Sequence, residues 1–136
     1  MCGSALIEAI DAQALSAGER IAFRNSRGEQ ITYAELRERS DALACWLADA
    51  RHVEPGAAVV LYGHKSPYML VSMIACAKAG HAYAPVDTVY PPERIARIVE
   101  QTGNTLLIDT TDVGIAPAGA AQARVLALAD VERVCA

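Results

Sequence analysis

At 136 residues the chain has room for one compact domain and not for two ordinary ones. Hydrophobic residues make up 53% and aromatic ones only 5%, so a core has to be built from Ala, Val, Leu and Ile, and a charged fraction of 21% excludes a disordered chain. A net charge of -4 with acids and bases interspersed leaves no basic stripe to neutralise phosphates, which excludes nucleic-acid binding.

The first segment, MCGSALIEAIDAQ, has no basic leader, and Glu8 and Asp11 interrupt its apolar run, so no signal peptide is expected. Residues 4–17 place Leu6, Ile7, Ile10 and Ala14 on one helical face, with Gly18 as the stop. Residues 21–24 and 30–33 read as short strands around the turn Asn25-Ser26-Arg27-Gly28, a small hairpin. Thr32 and Glu35 have capping-box spacing and open a helix to about Asp49 that buries Leu36, Leu43, Trp46 and Leu47.

After the Pro55-Gly56 turn, residues 57–62 form a nearly continuous apolar run closed by Gly63, as expected of a strand covered on both faces. Ser66 can cap a helix with Pro67 at its first position and Gly80 at its end. That helix is apolar nearly all round and belongs in the interior. Its length of about 20 Å falls short of the ~30 Å of membrane hydrocarbon, so no membrane insertion is expected. Residues 83–86 are a second strand, closed by Asp87.

Pro91-Pro92 opens a helix with Ile95, Ile98 and Val99 inward, Glu93 and Arg97 paired at i,i+4, and Gly103 as the stop. A strand at 105–109, a Gly/Ala/Pro-rich loop at 112–122 and a strand at 125–128 follow, and a last helix starts at Asp130. The alternation predicts an α/β fold: part of a doubly wound, mainly parallel sheet flanked by helices, preceded by a helix and a small β-hairpin.

Cys2, Cys45, Cys76 and Cys135 form no C-x-x-C pair, and no histidine stands at metal-ligand spacing from them. They read as reduced cytoplasmic thiols, Cys45 and Cys76 acting as small apolar helix residues and Cys2 and Cys135 lying in mobile ends. Ligands of an open parallel sheet bind outside the strands' carboxyl ends, which here carry Gly63 with His64, Asp87 and Asp109. The Ser66-Pro67 helix start beside them could receive an anion. However, Gly63-His64-Lys65-Ser66-Pro67 lacks the glycines of both phosphate-loop fingerprints and reads as a tight strand-to-helix turn.

His64 is expected to bond backbone at its strand end, and His81 to sit in a turn after Gly80; neither pairs with an assignable nucleophile. Lys78 would need burial to act as a catalytic lysine; so near its helix end it is expected to snorkel to solvent and favour the negative dipole.

Two stretches carry more. Ile31-Thr32-Tyr33-Ala34-Glu35-Leu36 resembles the first core motif of adenylation domains, and residues 77–87, AKAGHAYAPVD, resemble the second, in the right order and separation. The chain therefore resembles the adenylate-forming (AMP-binding) superfamily. Within it the likeness is strongest to the D-alanine–D-alanyl carrier protein ligases, carried by Ser40-Asp41-Ala42-Leu43-Ala44 with Trp46, by Tyr62-Gly63-His64 with Pro67, and by Gly80-His81-Ala82-Tyr83.

The resemblance implies an AMP-forming ligase that joins D-alanine to ATP with Mg²⁺ and passes it to the phosphopantetheine thiol of a carrier protein. Residues 1–136 would be the N-terminal portion of its adenylation domain, with 112–136 a looser tail ahead of the phosphate-loop region. No stretch like T-S-G-S-T-G occurs, so no catalytic, substrate-binding, cofactor-binding or metal residue is assigned, and inactivity alone is expected. Gly80, Tyr83 and Pro85-Val86-Asp87 read as scaffold, with Tyr83 packed in the sheet. The alternatives are a peptide-synthetase adenylation fragment for another amino acid, a split enzyme, and a non-enzymatic module. An incomplete sheet would expose an apolar edge, so self-association or binding to a complementary C-terminal fragment is also expected.

Overall fold

The computed structural model describes residues 5–103, 105–111 and 123–136. Its centre is a four-stranded sheet of β3 (Val59–Tyr62), β4 (Tyr83–Val86), β5 (Leu106–Asp109) and β6 (Arg124–Leu126), in the order β4-β3-β5-β6. Every pairing is parallel, with Val59 opposite Tyr83 on one side and Leu106 on the other. β3 and β5 are Val, Leu and Ile runs because a central parallel strand is covered on both faces.

Residue alternation divides the core in two. Val59, Leu61, Leu106 and Ile108 face α2 (Tyr33–Ala48), α3 (Pro67–Ala79) and α5 (Leu128–Cys135). Val60, Val86 and Leu107 face the opposite way, onto Ile95 and Val99 of α4 (Pro92–Gln101). The expected doubly wound α/β architecture is present, and the described helices include none long and apolar enough to cross a membrane.

Ahead of the sheet lie α1 (Ala5–Ala17) and the antiparallel hairpin β1 (Ile21–Arg24) and β2 (Gln30–Thr32). The hairpin runs directly into the capping box of α2. Glu35 N–H donates to Thr32 Oγ1 at 3.1 Å, and Thr32 N–H donates to Glu35 Oε1 at 3.0 Å. Ser66 caps α3 by accepting from Met69 N–H at 3.2 Å, and Gly80 ends it at φ 80°, which a side chain would resist.

Several side chains depart from expectation. Leu6 is 64% exposed while Ile7 is buried, so α1 offers a narrower apolar stripe than its composition implied. Trp46 is half-buried and stacks on His52 with centroids 4.1 Å apart instead of entering the core. Tyr83 is 41% exposed because β4 is an edge strand. Glu93 and Arg97 make no ion pair; Arg94 instead lies over the Tyr90 ring at 4.0 Å.

Cys45 is exposed, whereas burial pushes the Cys76 thiol up to about 12 and the Cys135 thiol up to about 11. Cys135 is no mobile end, since its thiol donates to Arg39 O at 3.5 Å. The 112–122 loop lies outside the described residues. In the segment read as a looser tail, α5 starts at Leu128, earlier than expected, and buries Val131 completely.

The Glu35 carboxyl is held below its ordinary value, first by the Thr32 N–H it accepts and further by the Thr32 hydroxyl and Arg39. A depressed folded value gives stability that is present above the unfolded carboxylate pKa and lost as pH falls through the folded one. Glu35→Gln should therefore cost about 0.5 kcal/mol at pH 7 and progressively less as pH falls through the folded carboxyl's lowered range. Thr32→Ala should cost about 1 kcal/mol in urea denaturation at neutral pH.

Candidate functional site

The geometry of the carboxyl edge follows from the two crossovers. β3 leaves into α3 on one face of the sheet, and its neighbour β4 leaves into α4 on the other. After β4 the chain crosses back over β3, so the topological switch point falls between β3 and β5, and a second gap lies between the carboxyl ends of β3 and β4. His64 and Asp87 stand at the two sides of it, joined by His64 Nδ1 and Asp87 Oδ2 at 3.0 Å. His64 thus bonds a side chain, where backbone was expected.

The Asp87 carboxyl is held below the usual carboxylate range, first by the Val89 N–H that donates to Oδ1 at 3.2 Å, then by His64. Thr88 Oγ1 also donates to it, at 3.3 Å. Asp109, one strand over, is buried and accepts from its own neighbourhood: Thr111 N–H at 2.9 Å and Thr111 Oγ1 at 2.6 Å. Its carboxylate is used in closing a turn. Burial raises the Tyr62 hydroxyl, and the carboxylates of Asp109 and Asp87 raise it further.

Gly63 owes its identity to a close approach. Thr110 N–H and Thr110 Oγ1 both donate to Tyr62 O, at 2.9 and 3.1 Å, drawing the end of β5 against the end of β3. A Cβ on Gly63 would lie 2.0 Å from Thr110 Oγ1. Two recesses result. A broad groove of about 950 Å³ separates the hairpin from the sheet edge, and an open recess of about 330 Å³ lies at the β3–β4 crevice against Met69, Leu70 and Met73.

Lys78 and His81 of the second sequence motif lie away from this edge and act as ties, whereas Asp87, its last residue, stands on it. Lys78 does not snorkel: its side chain is only 10% exposed, and Nζ donates to Asp41 Oδ1 at 2.7 Å, Ser40 Oγ at 2.9 Å and Asp11 Oδ1 at 3.2 Å. His81 is buried, with Nδ1 2.7 Å from Ala57 O and Nε2 3.0 Å from Leu47 O. It fastens the end of α2 to the approach of β3. Asp11, Ser40 and Thr110 escaped sequence reasoning, since nothing in their local spacing marks partners that lie 67, 38 and 48 residues away.

The chemistry available is correspondingly limited. His64 Nε2 and the Lys65 ammonium have no partner among the described residues, and no serine or cysteine bonds His64. No three His, Cys, Asp or Glu side chains among the described residues converge as a metal site. The Ser66 hydroxyl is committed to its cap.

Comparison with known proteins agrees with this architecture. Residues 10–134 match the family model described as AMP-binding enzyme. A D-alanine–D-alanyl carrier protein ligase of Bacillus cereus strain AH187 is 39% identical over 110 residues, covering 81% of this chain and 21% of the relative. The chain thus spans about a fifth of the curated relatives it matches. The Klebsiella oxytoca NpsA N-terminal subdomain superposes with TM-score 0.75 at 28% identity, over 96% of this chain and 33% of the other. VinN in complex with L-aspartate shares the fold, with TM-score 0.79 at 19% identity over 98% and 35% of the two chains.

Gly63→Ala should lower stability by about 1–3 kcal/mol, because Thr110 has to leave Tyr62 O. The penalty should shrink to under about 1 kcal/mol in a Thr110→Ala background and persist with Thr110→Ser, a coupling readable in a double-mutant cycle by thermal denaturation.

Proposed function

Because the chain belongs to the AMP-binding enzyme family, we propose that it forms the N-terminal part of an AMP-forming ligase that activates D-alanine with ATP and passes it to a phosphopantetheinyl carrier protein. The observation that carries this reading is the 39% identity to a D-alanine–D-alanyl carrier protein ligase across 81% of the chain. Each of the three segments that distinguish that likeness anchors a residue in the interior: Ser40 and Leu43, Gly63 and Pro67, and His81.

In this reading the 136 residues supply scaffold. Adenylation needs donors along a triphosphate, a divalent cation to offset its charge, and a cation at the attacked phosphorus. Lys78 is occupied by two carboxylates and a hydroxyl, and the Asp109 carboxylate by Thr111. No residue of the chain is therefore assigned to ATP or Mg²⁺, and those contacts belong to other segments of the intact enzyme. Free cysteines and a reaction that consumes ATP support a cytoplasmic setting for this reading. The open edge of β4 and the groove beside the hairpin are where the rest of the domain, or a complementary fragment, packs.

The test is ATP–pyrophosphate exchange. The full reading frame containing these residues should exchange with D-alanine at least about ten-fold faster than with L-alanine, while residues 1–136 alone give none. Exchange by the 136 residues alone would contradict the scaffold role. Exchange by the full frame with another acid, and not with D-alanine, would contradict the substrate.

A further inference from the structure

The β3–β4 crevice is left unused by everything above. It lies outside the carboxyl ends of β3 and β4, the end of an open parallel sheet at which ligands bind, one strand gap away from the β3–β5 switch point. Its volume of about 330 Å³ suits a small molecule. The walls are apolar, formed by Phe23 of the hairpin, Met69, Leu70 and Met73 of α3, and Tyr90 beyond β4. Unbranched methionines adapt to varied apolar shapes.

The mouth is polar and carries the Lys65 ammonium, the His64 ring and the Asp87 carboxylate. Asp87 is already held by His64, Val89 N–H and Thr88, so its charge is turned onto the protein. The Lys65 ammonium and His64 Nε2 are left without a partner among the described residues. Asn25 Nδ2 donates to Lys65 O at 2.9 Å, which pins the Lys65 backbone to the hairpin and leaves its side chain free to face the opening. A second strand is a poor occupant, because Pro85 in the middle of β4 offers no N–H for pairing.

We propose that this crevice binds small amphipathic carboxylates, the apolar chain lying against Met69, Leu70 and Met73 and the carboxylate meeting Lys65, with His64 beside it.

The experiment is a ¹H–¹⁵N correlation titration of the 136-residue chain with hexanoate, hexan-1-ol and acetate. Hexanoate should give saturable shifts at Gly63, Met69, Met73 and Val86 with a Kd on the order of 1 mM. Hexan-1-ol, lacking the charge, and acetate, lacking the chain, should each bind about ten-fold more weakly. Lys65→Gln, at an unpaired side chain whose loss leaves the core intact, should weaken hexanoate about ten-fold as well. No saturable shifts at these residues would overturn the site. Equal binding of hexan-1-ol, or an unchanged Kd in Lys65→Gln, would overturn the carboxylate assignment.

Discussion

One ammonium group sets how the helices of this fold meet. Lys78 has three N–H donors and uses all of them on side chains of two other helices: Asp11 of α1, and Ser40 and Asp41 of α2. A lysine this buried is costly unless its charge is answered, so the arrangement tolerates little sliding of α3 against its neighbours. α3 is also the crossover from β3 to β4. Its position fixes the separation of those two strands' following loops, and with it the crevice between His64 and Asp87. His81, three residues on, repeats the device by holding carbonyls of Leu47 and Ala57.

What was legible in the sequence was what is local. The capping box Thr32–Glu35, the Ser66-Pro67 start and the left-handed stop at Gly80 involve residues within a few positions of one another, and each stands as read. The parallel sheet was legible because strands buried on both faces cannot hide their composition. Failures came where a neighbour distant in sequence decides. Tyr83 looked like a packed aromatic until its strand proved to be an edge. Lys78 looked like a helix-end lysine until two acids from other helices met it. Gly63 read as a turn glycine, yet the constraint on it is Thr110, at the far side of a strand pairing.

The same distinction governs function. Residues that spell the recognisable motifs of the AMP-binding family are, in this chain, structural ties, which is why membership is clear while no catalytic atom can be named. A motif can be preserved by folding alone when it encodes a buried charge knot and a left-handed cap. Among the described residues, the edge of the sheet, where chemistry would be expected, holds side chains already satisfied by one another, apart from Lys65 and the outer nitrogen of His64.

Native-state hydrogen exchange on Lys78→Met tests the structural role of the motif lysine most directly. Methionine keeps the stem and deletes the three donors, so global stability should fall by about 1–3 kcal/mol, with protection lost first in α1 and the first half of α2. Stability within about 0.5 kcal/mol of the parent, with α1 protection unchanged, would contradict the account.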